Sequence, residues 1–421
     1  TVFSMAQLET RDSATPMDLL IGIPEITNIP ANETSTNAVA ARGDNANIAL
    51  RGLGAANTLV LLNGRRTPFH PFNTSSVNVN TLPTFGLQQL EVLRDGASAI
   101  YGSDAVAGVV NYVTEKKPNG SRISNRFGFT QHGGGMDEKL DIGYGTTFAD
   151  GKGSYVMSYS GYYRDAIYLR EREYSASANR LRYARAPWNV LGQTQYDGRT
   201  AVGVWTQFIP GATTSNTATR FFYPTSGNPS DTPTINTTAI PRGPLYADYN
   251  QFVTGQPQSW RNNLYNRVEY DLTPSVRVFA EGSFYLSRSR TGRQPITLNA
   301  SDNRVTMSVD NPYNPLGSRF YNTAGAANAD GTARLTGTPQ PLTIASVLLS
   351  DGGPEVITAL DSVYRFLAGA GGQIGKSSWN WETAFMMGGV YANDESKNAI
   401  RDSYLRGAAL RTDATAWNPF G

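Results

Sequence analysis

No stretch of this chain approaches the roughly 18 to 20 consecutive apolar residues that a membrane-crossing helix requires. From residue 122 onward, however, segment after segment alternates apolar and polar at a period of two. In Asp137 to Phe148, the residues Leu140, Ile142, Tyr144 and Phe148 alternate with Lys139, Asp141 and Gly143. In Leu264 to Leu272, the residues Leu264, Val268, Tyr270 and Leu272 alternate with Tyr265, Arg267, Glu269 and Asp271. Such a pattern belongs to a strand with lipid on one side and water on the other. The same reading covers Ile123 to Phe129, Tyr155 to Tyr163, Val276 to Leu286, Tyr364 to Ala370 and Trp379 to Met387. Each segment supplies the roughly nine to eleven residues that a tilted strand needs to cross a bilayer, and Tyr and Trp near segment ends suit interfacial girdles.

Short links at Ala149 to Lys152, Thr273 to Ser275 and Gly371 to Ser378 interleave with long ones at about 165–260 and 290–356. Short turns on one side and long loops on the other are the habit of outer-membrane barrels. By parity the long loops, and the tail 394–421, face outward. Composition agrees with a strand-rich chain. Only 39% of the 421 residues are hydrophobic, while 42 are Gly and 22 are Tyr, so turns and aromatics are plentiful and a conventional core would be thin. With 36 Lys and Arg against 34 Asp and Glu, no polyanionic partner such as nucleic acid is implied. The absence of Cys removes disulfides, thiolate metal sites and Cys nucleophiles together. TVFSMAQLET has no basic region followed by an apolar segment, so an export signal is expected to be already removed or not represented.

The N-terminal stretch reads differently. Pro16 behind Thr15 or Ser13 predicts a short helix ended by Gly22 and Pro24. Ile48 to Arg51 and Thr58 to Leu62 are brief apolar runs bounded by Gly52, Gly54 and Asn63-Gly64, which predicts buried strands and tight turns. Gln88 to Arg94 and Ala107 to Thr114 continue the pattern. Two long, ordered runs, IALRGLGAANTLVLLNGRRT (48–67) and VNVNTLPTFGLQQLEVLRDGASAIYGSDAVAGVVNYVTEKK (77–117), resemble the plug domain of TonB-dependent receptors. The resemblance is strong over about residues 1–117 and general beyond.

That resemblance implies a small α+β plug (1–117) inside the lumen of a transmembrane antiparallel β-barrel, whose N-terminal portion is 118–421. Seven strands cannot enclose a plug of radius about 13 Å. Plugged lumens occur at about 22 strands, so about 7 of about 22 strands are expected in this chain and the rest outside it. The segment that TonB grips precedes the plug in the family, and this sequence starts after it.

The resemblance further implies outer-membrane localisation in a Gram-negative bacterium and contact with lipid and lipopolysaccharide. It also implies partnership with TonB and its inner-membrane motor proteins, and import of a small ligand without any cofactor. Arg65 to Asn73 resembles the apical loop that meets incoming substrate, and Arg66, Phe69, His70 and Phe72 there offer charge, stacking and hydrogen bonding. Loop packing against the wall is the structural alternative. Arg51, Glu91, Arg94 and Asp95 stand where the resemblance places charges between plug and barrel. Buried charges need partners, and Arg126, Lys139, Asp141, Arg267, Glu269, Arg277 and Glu281 are inward-facing candidates.

Other signals are bland. Ala370 to Ser377 fits a relaxed phosphate-loop pattern, but the SWNWETAFMM that follows has period two, so it reads as a turn. Arg42-Gly-Asp44 is a chance tripeptide, and Asn328 to Gly331 lacks the spaced carboxylates of a calcium loop. His70 and His132 are the only histidines, with no helical pair for a metal and no easy triad, so neither a metal site nor catalysis is expected. The Asn-Pro units at 311, 314 and 418 mark turns. Tyr223, Tyr246, Tyr249, Trp260, Tyr313 and Trp417 offer rings for flat ligands in the long loops. Three rival functions remain beside import: surface adhesion or assembly with another surface protein, passive porin, and outer-membrane hydrolase.

Overall fold

The computed structural model describes residues 1–4, 7, 15, 16, 18–20, 23, 26–31, 45–72, 76–116, 120–187, 196–200, 202, 203, 206–213, 220–222, 234–236, 246–299 and 305–420. It divides into two compact units. The first comprises Thr1–Glu171, Thr254–Thr291 and Ile357–Glu395; the second comprises Arg172–Val253, Gly292–Val356 and Ser396–Gly421.

The first unit begins with strands β1 (Val2–Ser4), β2 (Ile26–Ala31), β3 (Asn47–Leu50), β4 (Thr58–Leu62), β5 (Arg65–Arg66), β6 (Leu87–Leu93) and β7 (Gly108–Thr114). Five of them form one sheet in the order β1-β6-β7-β4-β5, and β2 pairs with β3. β4 runs parallel to β7 while β6 runs antiparallel to it. Thr58–Leu62 is buried at every position, which explains why it reads as an unbroken apolar run instead of an alternation. Leu20, Ile48, Leu50, Val60, Leu62, Leu87, Leu90 and Val110 close a core between this sheet and the surrounding loops. Near residue 16 the described positions make a turn, with the Asp18 carboxylate accepting from Thr15 N at 2.8 Å. The expected helix ends at Ser13, Gly22 and Pro24 lie outside the described residues, as do Arg42 to Asp44, Asn73 and Tyr223.

Seven long strands follow in the same unit: β8 (Gly120–Gly128), β9 (Asp137–Phe148), β10 (Gly153–Arg164), β16 (Gln258–Thr273), β17 (Val276–Gly292), β23 (Val356–Gln373) and β24 (Asn380–Lys397). They form a single sheet in the order β24-β23-β17-β16-β10-β9-β8, which is the up-and-down wall of a partial barrel. All seven period-two segments are therefore neighbours in chain order. The last two pairs are longer than expected, at 16 to 18 residues each, because the strands run on past the segment of strict alternation. On β16, Ser259, Arg261, Asn263, Tyr265, Arg267 and Glu269 are buried while Trp260, Leu264 and Val268 are exposed. The exposed set, with Phe284, Phe366 and Phe385 on later strands, is the lipid-facing side. Two short strands, β11 (Ile167–Tyr168) and β15 (Thr254–Gln256), pair with each other.

The second unit adds regular structure to the long connections at 165–260 and 290–356 and to the tail 394–421. These stretches hold β12 (Gln207–Pro210), β13 (Arg220–Phe222), β14 (Thr234–Asn236), β18 (Thr297–Asn299), β19 (Val305–Met307), β20 (Tyr321–Asn322), β21 (Leu335–Thr336) and β22 (Leu342–Leu348), with a helix at Asp402–Leu410. A sheet runs β14-β13-β12-β22-β18, and β19 also pairs with β22. β22, Leu-Thr-Ile-Ala-Ser-Val-Leu, is buried throughout. Phe208, Leu298, Val305, Met307, Ile344, Leu405 and Ala409 form a separate core around it.

The Asn-Pro units pin this core. Asn311, Asn314 and Asn418 each accept, through Oδ1, the backbone N–H two residues on, at 2.9, 2.9 and 3.1 Å, a side-chain mimic of a turn. The residues so placed, Tyr313, Leu316 and Phe420, pack on the core. The Asn314 amide also donates to Ser308 O and Gln340 O, both at 3.0 Å. Truncating Asn314 to Ala removes two partly buried hydrogen bonds and frees the turn. The expected loss is about 1–3 kcal/mol, at about 0.5–1.5 kcal/mol net for each of the two hydrogen bonds. It would register as early protease cutting near residues 308–317 while the wall strands stay protected.

Candidate functional site

β4 and β5 are joined by Asn63 at φ 52° and Gly64 at φ 75°. Two consecutive left-handed residues make the tight hairpin turn for which Asn-Gly is the favoured pair. The turn aims the Asn63 amide at the wall. Its Oδ1 accepts from Thr114 N at 2.9 Å and Thr114 Oγ1 at 3.1 Å. Its Nδ2 donates to Tyr265 Oη at 2.8 Å and to Glu281 Oε1 at 3.1 Å. Tyr265, on β16, is 1% exposed and belongs to the core of the N-terminal domain, so a wall residue completes that core.

Behind the turn lies a chain of buried charges. Arg267 donates to both Glu269 and Glu281, Arg277 stands 3.6 Å from Glu269, and Arg365 donates to Glu281 Oε2 at 3.0 Å. Arg365 is 1% exposed, and its Nε donates to Arg66 O at 3.3 Å. Unpaired, a guanidinium at that depth would be costly; here it is bonded to a wall carboxylate and to the N-terminal domain's backbone.

The loop after β5 is tied down and partly presented. Arg66 grips both carboxylate oxygens of Asp104, one at 2.8 Å, and holds that carboxyl below the usual carboxylate range. The stabilisation is present at neutral pH and is lost as pH falls through the depressed value. His70 is buried. Its Nδ1 accepts from Phe72 N at 3.3 Å, which leaves Nε2 to carry the proton and donate to Asp361 Oδ2 at 2.8 Å. Phe69 and Phe72 are 43% and 46% exposed. Of the four residues expected to meet a ligand, therefore, the two phenylalanines are presented, Arg66 is half-presented with its charge matched by Asp104, and His70 is turned into the wall.

The four charges expected between the N-terminal domain and the strands are placed otherwise. Arg51 donates to Arg94 O at 2.9 Å, Arg94 Nε donates to Thr1 Oγ1 at 2.8 Å, and Glu91 accepts from Asn111 Nδ2 at 2.8 Å; these bonds stay within the domain. Asp95 is exposed. Glu91 also lines a cavity of about 240 Å³ with Lys116, Arg277, Glu281 and Glu382. The wall's charges are matched largely by one another, with Arg126 3.1 Å from Asp137 and Lys139 3.2 Å from Asp141. Across the boundary Arg65 makes an ionic contact with Glu382, and the neutral His70 a buried hydrogen bond to Asp361. The sequence pattern places Glu382 on the polar face of its strand but singles out neither Asp361 nor Arg365. Carrying the alternation of β23 back from Arg365 places Asp361 on the same inward face, a signal that was there to be used.

Shape fixes the remainder. A Cβ on Gly143 would sit 2.8 Å from the Phe85 ring, and one on Gly388 would sit 2.9 Å from Pro68, so these two glycines are notches for knobs on the N-terminal domain. Phe85 O accepts from Ser158 Oγ at 2.7 Å and Thr81 O accepts from Asn263 at 2.8 Å.

Residues 1–109, which supply nearly all of these knobs and turns, match the family described as TonB-dependent Receptor Plug Domain. The chain carries a TonB-dependent receptor plug. That domain is followed by the seven strands of a partial barrel wall, the arrangement of an outer-membrane protein. The plug region is 36% identical over 106 residues to a probable TonB-dependent siderophore receptor, PirA, of Acinetobacter baumannii, a match covering 23% of this chain and 14% of that protein. It is 30% identical over 114 residues to the vitamin B12 transporter BtuB of Vibrio vulnificus, covering 27% and 17%. Among solved structures, the ferric enterobactin receptor PfeA of Pseudomonas aeruginosa aligns over 94% of this chain and 55% of its own, with 13% identity and a TM-score of 0.42. The chain thus matches about a sixth of the length of these curated relatives and about half that of the solved receptor.

Replacing His70 with Ala leaves the buried Asp361 carboxylate short of a donor. It should lower plug stability by about 1–3 kcal/mol or more, the cost of an unsatisfied buried group, read as faster hydrogen exchange over residues 65–72. Gly143→Val should unseat Phe85 and leave the plug open to protease.

Proposed function

We propose that the chain acts in TonB-dependent uptake of a scarce small nutrient. Ligand would be received at the exposed Phe69 and Phe72 of the plug apex, and the plug would be displaced by an inner-membrane motor through TonB. One observation carries the reading: a plug-family domain seated by buried hydrogen bonds inside a wall whose outer face is apolar. Its relatives, a probable siderophore receptor and a vitamin B12 transporter, support a ligand of that size. Flat aromatic faces on the apical loop suit a ring-bearing ligand or chelate. Arg66, fixed by Asp104, adds a half-exposed positive edge at the loop base. Lipid and lipopolysaccharide would surround the wall.

A second reading, assembly with another surface protein, draws on the second unit, whose own sheet and core exceed what a passive loop requires. Under it, a partner would be found clamped on residues 172–253 and 292–356.

Deleting the gene, or removing TonB, should abolish uptake of at least one iron chelate or corrinoid in a nutrient panel. Survival of every tested uptake in both strains would end the import reading. Removing residues 1–117 should give a large ion conductance in planar bilayers, where an open porin would change little.

A further inference from the structure

On the outward face of β16 and β17 the side chains change character at a definite height. Near the Ala149–Lys152 turn Tyr270 stacks on Phe148, ring centroids 6.1 Å apart, and Val268 and Leu264 lie between Tyr270 and Trp260. The ladder sets Val278, Ala280, Phe284 and Leu286 of β17 on the same face. Asn262 and Asn266 in this strip accept from the Tyr159 and Tyr155 hydroxyls, both at 2.6 Å, so their polarity is answered within the sheet. The positions from Tyr270 to Trp260 span about 34 Å of strand at about 3.4 Å per residue. At a tilt of about 35–45° that is about 24–28 Å along the membrane normal, the height of an apolar band closed by aromatic girdles. Trp260 and Tyr163, opposite each other in the ladder, stand at the far girdle.

At that line β17 turns cationic. Arg288 lies opposite Trp260 and Arg290 opposite Gln258, and both are exposed while the alternating Ser287 and Ser289 are buried. β17 is flanked by β16 and β23, so its outward face borders only its own neighbours and the membrane. Other wall cations are answered inside the protein: Arg126 by Asp137, Lys139 by Asp141, Arg365 by Glu281. Among the described residues no carboxylate pairs with Arg288 or Arg290. Asp165, near the same rim, already accepts from the Tyr163 hydroxyl. On a soluble domain two such arginines would be a solvated face. Here they stand level with a girdle Trp on a lipid-facing strand, where a charge without a protein counterpart calls for an anion from the membrane.

We infer that Arg288 and Arg290 dock the phosphate of a glycolipid headgroup in the outer leaflet, with the Trp260 ring lying against its sugar. This rests on the reading of the seven strands as a membrane wall. The two arginines sit at the end of β17 away from the Thr273–Ser275 turn, beside the long connections, and that is the outward end of an outer-membrane barrel. Guanidinium forks bond phosphate oxygens in pairs, and two positions along one strand set the forks about 7 Å apart at the Cα atoms, within reach of a single phosphate. The turn end of the same face presents Tyr270, Leu272 and Val278 and no cation. A lipid of the inner leaflet meets no such pair, so the site selects by leaflet as well as by charge.

The intact protein, delipidated in detergent, is titrated with diphosphoryl lipid A and, separately, with phosphatidylglycerol, while native mass spectrometry reads the fraction carrying one lipid. Arg288→Gln with Arg290→Gln should cut occupancy by diphosphoryl lipid A at least fivefold. Lys152→Gln with Lys376→Gln removes two exposed cations at the turn end and should leave occupancy within twofold of the wild type. Unchanged occupancy in the arginine variant, or an equal drop in the lysine variant, overturns the proposal. Equal occupancy by phosphatidylglycerol marks a general anion face and overturns the glycolipid assignment.

A second arm needs no substitution and so stands even where a variant fails to fold. Occupancy of the wild-type protein should fall at least fivefold when lipid A has lost both phosphates, and equal binding of the two forms overturns the proposal. A wall that inserts into lipid vesicles without telling the two forms apart ends this inference alone. A protein that never enters vesicles ends the membrane-wall reading, and this inference with it.

Discussion

A wall that turns Arg267, Glu269, Glu281, Asp361 and Arg365 inward can be buried only against a body that brings hydrogen bonds to them. Three positive side chains, Arg267, Arg277 and Arg365, face three carboxylates, Glu269, Glu281 and Asp361, and the plug adds groups that leave that balance undisturbed. These are the Asn63 amide, the Arg66 carbonyl and a His70 imidazole whose proton sits on Nε2. Charge is matched mainly within the wall, and the plug supplies direction. An interface so built keeps Arg267, Glu269, Glu281 and Arg365 paired on the wall by themselves, while Asp361 depends on the plug's His70.

The plug's own geometry follows from that requirement. Asn63 reaches Tyr265 and Glu281 because a two-residue left-handed turn projects its amide beyond β4 and β5. Phe85 and Pro68 can approach the strands because Gly143 and Gly388 carry no side chain. The apical loop, roped to β23 by His70 and to Asp104 by Arg66, presents Phe69 and Phe72 from a fixed base. Under the proposed uptake, such pre-set presentation would spare a ligand the cost of ordering the loop.

The second unit obeys different physics. Its core is that of a soluble domain, with β22 buried along its whole length and the helix Asp402–Leu410 packed on β19 in the same core. The three Asn-Pro turns convert polar, turn-rich sequence into anchors. Each Asn answers a backbone N–H with its own carbonyl, and each delivers a large apolar side chain to the core. Composition could not disclose this, because Thr, Asn, Pro and Gly are the residues of simple loops as well.

By itself the sequence determined the strands, their order and which face of each meets lipid, because a period of two is a local property and survives any arrangement of neighbours. It also determined the plug, through long runs whose turns and apolar stretches recur together. Pairing belonged to tertiary structure. That His70 would meet Asp361, 291 positions away, or that Arg365 would meet the carbonyl of Arg66, 299 away, is written in no local pattern. Arg51, Glu91, Arg94 and Asp95 carried the right chemistry for a plug–wall contact, yet the fold bonded Arg51, Glu91 and Arg94 inside the plug and gave the wall contacts to Arg65 and His70. A charge's partner is set by which surfaces come within a few ångströms of one another. In a sheet wrapped on a separately folded domain, that distance is decided only when both are in place.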